Sequence, residues 1–249
     1  METIIPKTST ALSSLLRADF KTQWRNRRSV ILLLLVPVII LISWKGIVDK
    51  LGGPFVLSSC ITIGLTAIGL MGYSNAIARD RDKGVFQRLR VTPVPTWCIM
   101  VSRLIVQIVM ILLLTTVIFI VGKNYDKITL TPAGYIVTFI TAFVGGALYL
   151  GLGQMIVGLV KNAETVNSTT RLVYFLFIMV GMFGDLGVLG EELKKMIHWT
   201  PYGTVKTILA ASMEPSGWSN QTSLALLVTI LYAVAFSYLG IKKFKWNTQ

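Results

Sequence analysis

Long stretches without a charged residue constrain the fold of this chain more than any other feature. A helix that crosses a bilayer needs about 20 mostly apolar residues. Runs free of Asp, Glu, Lys and Arg supply six candidate spans, and only the fifth is interrupted, by Asp185. The sequence therefore predicts membrane spans at about 29–47, 55–78, 99–121, 134–160, 172–190 and 222–241.

The composition is unlike that of a soluble protein. Apolar residues make up 53% of the 249 residues and charged residues only 14%, whereas a soluble domain carries about 25% charged residues. This apolar excess argues against a free cytosolic enzyme. The predicted fold class is an all-α membrane protein with six transmembrane helices, forming one domain over residues 1–249 in the lipid bilayer.

Basic residues are distributed unevenly among the segments between the spans. If the N-terminus is inside, the inner segments hold 17 Lys and Arg residues and the outer segments hold 7. Cytoplasmic loops of membrane proteins collect Lys and Arg. The sequence therefore predicts both termini in the cytoplasm. This topology explains the net charge of +13 without any binding of nucleic acid.

Apolar residues before the first span recur at helical spacing. Residues 8–28 carry Leu12, Leu15, Phe20 and Trp24 at steps that place them on one helix face, with basic residues around them. We expect a helix that lies in the inner membrane interface. The alternative is a solvated basic leader that only fixes the topology.

The inner loop at residues 79–97 has the most specific pattern in the chain. Alternating charges lead to Gly84, which permits a tight turn. A short amphipathic segment follows with Val85, Phe86 and Leu89, and Pro93 and Pro95 stop it before the third span. An ordinary charged loop does not explain these apolar residues. A short helix with exposed apolar side chains and flanking charges suits docking into the groove of a partner protein.

At this loop the chain resembles the permease subunits of type-2 ATP-binding-cassette (ABC) exporters. In that family an acidic-basic-acidic-x-Gly pattern follows the second span, and an apolar-rich turn then ends in Thr-Pro-Val. Here Asp80-Arg81-Asp82-Lys83-Gly84 and residues 89–94 match the pattern, with Asp where the family usually has Glu. The family often has another acid at the position of Gln87. Residues 191–201 resemble the family's helix before a proline, with Thr200 where Asn is common.

The resemblance covers nearly the whole chain and implies half of a transporter in a bacterial cytoplasmic membrane. A second permease copy, identical in a homodimer or merely similar, would complete the pathway, and two ABC ATP-binding subunits would dock beneath it. ATP and Mg would bind the partner subunit, since this chain lacks the G-x-x-x-x-G-K-[ST] phosphate loop. The expected activity is export of an amphiphile (a drug, lipid or peptide), with a role in multidrug or antibiotic resistance. The expected coupling residues are Asp80, Arg81, Asp82, Lys83, Gly84, Val85, Phe86, Arg88, Leu89, Thr92 and Pro93.

Polar, Met and aromatic side chains in the second and fifth spans are the candidates for a substrate pathway, because such a mixture suits amphiphiles. Asp185 is the only acid inside a span and belongs either to an exit gate, to a proton or ion site, or to a cap on the outer segment. Spans one and five are the candidates for the seam between two permeases. The predicted pathway residues are Thr62, Thr66, Tyr73, Asn75, Tyr174, Met179, Phe183 and Asp185.

Three other functions remain open from the residues alone. An ion-coupled secondary transporter would show broken helices and charged sites at the bilayer midplane, and only Asp185 hints at these. A membrane-embedded hydrolase would need Ser74 close to the single histidine, His198, yet the topology places them at opposite sides of the bilayer. A scaffold without transport is the third. Two cysteines and one histidine supply no zinc site, so neither a metal site nor a catalytic residue is predicted.

Overall fold

The computed structural model describes residues 8–90, 95–187 and 190–244, and it is helical almost throughout. No strand occurs among these residues, which confirms the all-α prediction. The α-helices are α1 Thr8–Arg25, α2 Arg27–Ser43, α3 Lys45–Leu51, α4 Gly53–Thr66, α5 Asn75–Asp82, α6 Val85–Arg90, α7 Thr96–Tyr125, α8 Pro132–Leu159, α9 Ala163–Asp185, α10 Glu191–His198, α11 Pro201–Met213 and α12 Asn220–Lys243.

Among the described residues, five helical segments are long and apolar enough to cross a membrane, and a sixth is added if the bent pair of α1 and α2 is counted as one span. Helices α1 and α2 meet at a bend of 59° beside Asn26. The helical prediction for residues 8–28 is thus confirmed up to Arg25, and the interfacial position of α1 stays a prediction. The five segments are Gly53–Asp82, Trp97–Tyr125, Pro132–Leu159, Ala163–Gly184 and Asn220–Lys243.

The predicted start of the fifth span is not the start of its helix. Helix α9 begins at Ala163, well before residue 172. Asn162 caps it, because its side-chain oxygen accepts a hydrogen bond from the Glu164 amide at 2.7 Å. The absence of charge identifies only the part of a helix that lies in lipid. Helix α9 also includes polar residues before that part, so it begins earlier than the apolar run.

The second span lies at the centre of the fold and changes helix type within it. Residues Ala67–Ser74, between α4 and α5, form a π-helix, a form that is rare and often found at functional sites. The Ser74 hydroxyl donates to the Gly69 carbonyl at 2.8 Å. A Cβ at Gly69 or at Gly153 of α8 would clash with the backbone of the opposite helix. Close packing of α8 against this π-helix therefore depends on glycine at both positions.

The segment before the last span forms two helices of different character. Helix α10 is exposed along most of its length, whereas α11 is buried against α4, α8 and α12. Thr200 caps α11 by accepting a hydrogen bond from the Gly203 amide at 3.2 Å. The Ser212 hydroxyl donates to Thr138 Oγ1 at 3.1 Å and accepts from Thr141 Oγ1 at 2.9 Å. A single short helix was predicted here, and the buried second helix corrects that prediction.

Candidate coupling site and membrane pathway

Helices α5 and α6 form a helical hairpin at one end of the second span. Gly84 lies between them with a φ of 64°, a conformation that favours glycine. The Lys83 amide donates to the Arg79 carbonyl and the Gly84 amide to the Arg81 carbonyl, both at 3.0 Å. The tight turn predicted at Gly84 is therefore confirmed. Of the predicted coupling residues, Thr92 and Pro93 lie outside the described residues.

Arg81 ties this hairpin to the end of α8. Its side chain is only 2% exposed. The guanidinium donates to the carbonyls of Val157 and Val160 at 2.7 Å and of Lys161 at 2.5 Å. The last carbonyls of a helix have no partner within the helix and carry a partial negative charge. Arg81 therefore satisfies the end of α8 and holds α5 against the turn that leads to α9.

Asp80 and Phe86 make two further connections from the hairpin to the spans. The Asp80 carboxylate pairs with Arg103 of α7 at 2.5 Å. The Arg103 guanidinium lies over the Phe86 ring, 5.0 Å from its centroid. The Phe86 ring also meets Phe244, the residue after α12, edge-on at 5.9 Å. Phe86 is thus completely buried, and the prediction that it is an exposed apolar side chain is wrong because α7 and the end of α12 cover it.

The opposite face of the hairpin is open to solvent. The side chains of Asp82, Lys83, Gln87 and Arg88 are exposed, whereas Val85 and Leu89 are half-buried. Arg88 Nη2 donates to the Lys83 carbonyl at 2.9 Å, which places its guanidinium over the turn. The hairpin therefore has an inner face that contacts α7, α8 and the residue after α12, and an outer face of charged side chains.

The pattern at this hairpin agrees with the family match. The sequence profile of the ABC-2 type transporter family matches residues 10–204, and this range includes the hairpin. The chain belongs to the ABC-2 type transporter family. A relative from Bacillus subtilis (strain 168), named "Putative transport permease YvfS", is 24% identical over 233 residues, covering 90% of this chain and 92% of the relative.

Family membership confirms the recognition made from the loop and settles the broad class. The chain is a multi-pass membrane protein and a transport permease, and the family implies an ABC ATP-binding partner. Among the described residues, no group of three His, Cys, Asp or Glu side chains is arranged to hold a metal ion. His198 and Ser74, the two residues that a hydrolase would need close together, make separate contacts. His198 Nδ1 lies 3.4 Å from Thr207 Oγ1, and the Ser74 hydroxyl donates to a carbonyl of its own helix.

The predicted pathway residues of this ABC-2 permease occupy different surroundings in the second span. Thr62 and Thr66 are completely buried, and each hydroxyl donates to a carbonyl of its own helix at 2.7 Å. Tyr73 Oη donates to Gln154 Oε1 of α8 at 2.8 Å. Thr170 Oγ1 of α9 lies 3.4 Å from Asn75 Oδ1, so this pair connects the second and fifth spans.

The predicted pathway residues of α9 lie along the fifth span. Tyr174 and Met179 are half-buried and Phe183 is exposed. Asp185 is the last residue of α9, and its side chain lies outside the described part of the structure. The role of all these residues in a pathway stays a prediction.

A cavity of about 460 Å³ opens elsewhere, between α7, α8 and α12. Among the predicted pathway residues whose side chains the structure describes, Tyr73 is the single one that lines it. Thr62 and Thr66 do not reach it, because their hydroxyls face their own helix and the packed core covers them. The sequence did not single out Gln154, which lines this cavity beside Tyr73, or Arg103, the partner of Asp80. A basic residue at the start of an apolar span was the available signal for Arg103.

Proposed function

We propose that this chain is the permease subunit of an ABC exporter in a bacterial cytoplasmic membrane, with both termini in the cytoplasm. It moves an amphiphilic drug, lipid or peptide by alternating access, and separate subunits hydrolyse ATP. The observation that carries the proposal is the two-faced hairpin of α5 and α6. Its buried face contacts α7, α8 and the residue after α12, and its exposed face is available to a partner.

The inner face of the hairpin supports a role in transmitting movement. Arg81 connects it to the end of α8, Asp80 connects it to α7, and Phe86 connects it to the residue after α12. These contacts are charge-assisted hydrogen bonds and buried ring contacts, which resist displacement more than exposed contacts do. A push on α6 by a closing ATP-binding subunit would therefore act on three spans together.

The outer face supports recognition of the ATP-binding subunit. Asp82, Lys83 and Arg88 place both signs of charge on the exposed side, and Val85 is half-buried. Each exposed ion pair contributes only about 0–1 kcal/mol. Recognition therefore depends on the whole face, and loss of one charge should have a small effect.

The second permease copy would pack along spans one and five. Both helices expose apolar side chains on their outer surfaces, and the second span lies buried beneath them. Exposed apolar side chains also suit lipid, so the seam rests on the family resemblance together with this surface. The exposed residues are Ile31, Leu32, Leu35 and Ile39 on α2 and Leu172, Phe175, Leu176 and Val180 on α9.

Copurification and ATP hydrolysis test the proposal. The chain should be expressed with its ATP-binding subunit as wild type and as a triple variant, Asp82→Ala/Lys83→Ala/Arg88→Ala. We expect the wild-type permease to retain the partner in detergent and to hydrolyse no ATP without it. The triple variant should lose at least half of the copurified partner, while the control Lys123→Ala, at the other end of α7, should retain it. Full retention by the triple variant would contradict the docking role.

A further inference from the structure

Two polar side chains that line the cavity between α7, α8 and α12 have hydrogen-bonding groups without a partner. The first is Gln154, whose Oε1 accepts a hydrogen bond from Tyr73 Oη at 2.8 Å. Among the described residues, the amide nitrogen of Gln154 makes no hydrogen bond, although it can donate two. Gln154 lies three residues before Val157, so this part of the cavity is near the α8 end that contacts the hairpin.

The second group is the hydroxyl of Ser237 on α12. A hydroxyl in a helix can bond to the carbonyl one turn earlier, as Thr229 of the same helix does with the Ala225 carbonyl at 2.8 Å. Among the residues that the structure describes, Ser237 makes no hydrogen bond. Its oxygen lies over Gly151, where an added Cβ would approach it to 2.7 Å. Gly151 and Gln154 are three residues apart on α8, so the Gln154 amide and the Ser237 hydroxyl are neighbours across the two helices.

The lining of the cavity carries no charge. Of the described side chains that form its wall, none is acidic or basic, and most are aliphatic or aromatic. A polar group inside a membrane needs a partner, because lipid tails supply none. An ionic headgroup in this space would lose its hydration without gaining a counter-ion. The cavity therefore suits a ligand that has hydrogen-bonding groups and no charge.

The size and the walls of the cavity indicate a ligand with a hydrocarbon tail. Its volume is about 460 Å³, whereas one water molecule takes about 30 Å³. Ile111 and Phe143 line the part farther from the polar pair, and an apolar wall of this kind does not hold ordered water. Phe143 is about 16 Å from Gln154 along α8, at about 1.5 Å per residue. Leu104 and Ile241 line the cavity and are exposed on the membrane-facing surface, so a molecule can enter sideways from the bilayer.

We infer that this cavity binds one uncharged amphiphile from the bilayer. Its hydroxyl or carbonyl oxygens accept hydrogen bonds from the Gln154 amide and the Ser237 hydroxyl, and its hydrocarbon tail lies along Ile111 and Phe143. A monoacylglycerol has this chemistry. The site does not involve the outer face of the α5–α6 hairpin, so it stands or fails separately from the proposed coupling to an ATP-binding subunit.

Photolabelling of the purified full-length chain tests the inference. The probe is a monoacylglycerol with a diazirine in its acyl chain, and an alkyl sulfate and an alkyltrimethylammonium carry the same diazirine chain on a charged head. We expect the monoacylglycerol to label one site per chain at a concentration at least about tenfold below that of either charged probe, because an unpaired charge is costly in this cavity. Mass analysis of peptides should place the adduct on α7, α8 or α12.

Removal of the polar groups tests the position of the head. Gln154→Leu removes the amide and should weaken labelling by the monoacylglycerol about fivefold, the usual worth of one hydrogen bond, with no change for the charged probes. Ser237→Ala leaves the bond between Tyr73 and Gln154 in place and should also weaken labelling about fivefold. Ser237→Ala carries the test if Gln154→Leu does not fold. Gln107→Leu is the matched control, since Gln107 is also buried but does not line the cavity.

Filling the cavity tests the position of the tail. Ala147 lines it, and Ala147→Phe should lower labelling by the monoacylglycerol at least about tenfold, because the added ring takes the space of the tail. Met100→Trp fills the cavity from α7 and replaces Ala147→Phe if that variant does not fold. Ala235→Phe is the control, since Ala235 is exposed and does not line the cavity.

Three results would overturn the inference. Equal labelling of the wild type by the three probes would show that the uncharged wall does not select the ligand. Wild-type labelling of both Gln154→Leu and Ser237→Ala would show that the polar pair does not contact the head. Wild-type labelling of a folded filling variant, or an adduct outside α7, α8 and α12, would place the amphiphile elsewhere.

Discussion

The two short helical segments that join spans at opposite ends of the molecule are held in different ways. At one end, the α5–α6 hairpin is held by the buried Phe86 ring and by charged side chains, Arg81 and the Asp80–Arg103 pair. At the other end, α11 is held by burial and by hydroxyl groups such as Ser212. The hairpin keeps one charged face in solvent, whereas most of α11 is covered. The first arrangement suits a surface that a partner contacts. The second suits a segment that packs between the spans.

Loss of the Phe86 ring is expected to have the largest effect on the hairpin. Phe86→Ala should cost about 3–5 kcal/mol of folding free energy, the usual range for a buried Phe. The thermal midpoint of the isolated chain in detergent should therefore fall, without any partner present. Val85→Ala, at the half-buried neighbour, should change it much less. An unchanged midpoint with a weakened complex would instead place the ring in the partner's groove.

Arg81 should come next, since it makes three hydrogen bonds to one helix end. Arg81→Ala should cost about 3 kcal/mol, because hydrogen bonds to a charged group are worth about 1.5–3 kcal/mol each and water replaces some of them. Thermal unfolding of the purified chain measures this cost. Arg79→Ala removes the same charge from an exposed position and should have little effect. Equal losses of stability in the two variants would show that the positive charge matters and that the hydrogen bonds from Arg81 to the end of α8 do not.

A smaller effect is expected from the hydroxyl cluster at the other end. Ser212→Ala removes the bonds to Thr138 and Thr141 and should cost about 1–2 kcal/mol. The thermal midpoint should fall, but the amount of copurified ATP-binding subunit should not. The exposed Ser216 offers a control, Ser216→Ala, with no expected change. A loss of partner in Ser212→Ala would mean that the two ends are not separate in function.

An effect as small as that of Ser212→Ala should come from the backbone at Gly84. Its φ of 64° resists a β-branched side chain, so Gly84→Val should cost about 1–2 kcal/mol, and Gly84→Asn should cost less since Asn tolerates this conformation. Hydrogen exchange of the α5–α6 amides would report the difference as faster local opening in the valine variant. If both variants behave alike, the positive φ is not what the turn requires.

The sequence predicted the features that depend on composition along one segment. Apolar runs located the spans, and the alternating charges with Gly84 located the hairpin turn. The start of α9 was missed because the polar turn capped by Asn162 lies outside the apolar run. The π-helix between α4 and α5 was missed as well, since its residues are those of an ordinary apolar helix.

The contacts of the hairpin depend on residues far away in the sequence. For this reason the predictions made for its side chains were only partly correct. The burial of Phe86 follows from Phe244 and Arg103, which no local pattern connects to it. The partners of Arg81 are backbone carbonyls, which every segment of the chain supplies equally. Likewise, the cavity beside Ala147 arises from the way α7, α8 and α12 pack. Periodicity in one helix carries no information on that packing.

Site-specific photo-crosslinking tests the central claim, that the exposed face of the hairpin docks the ATP-binding subunit. A photoreactive amino acid is placed at Gln87 on this face and, as a control, at the exposed Asn124 at the other end of α7. Illumination of membranes that contain both proteins should yield a permease–ATPase adduct from position 87 and none from position 124. An adduct from position 124 alone, or equal adducts from both, would contradict the claim.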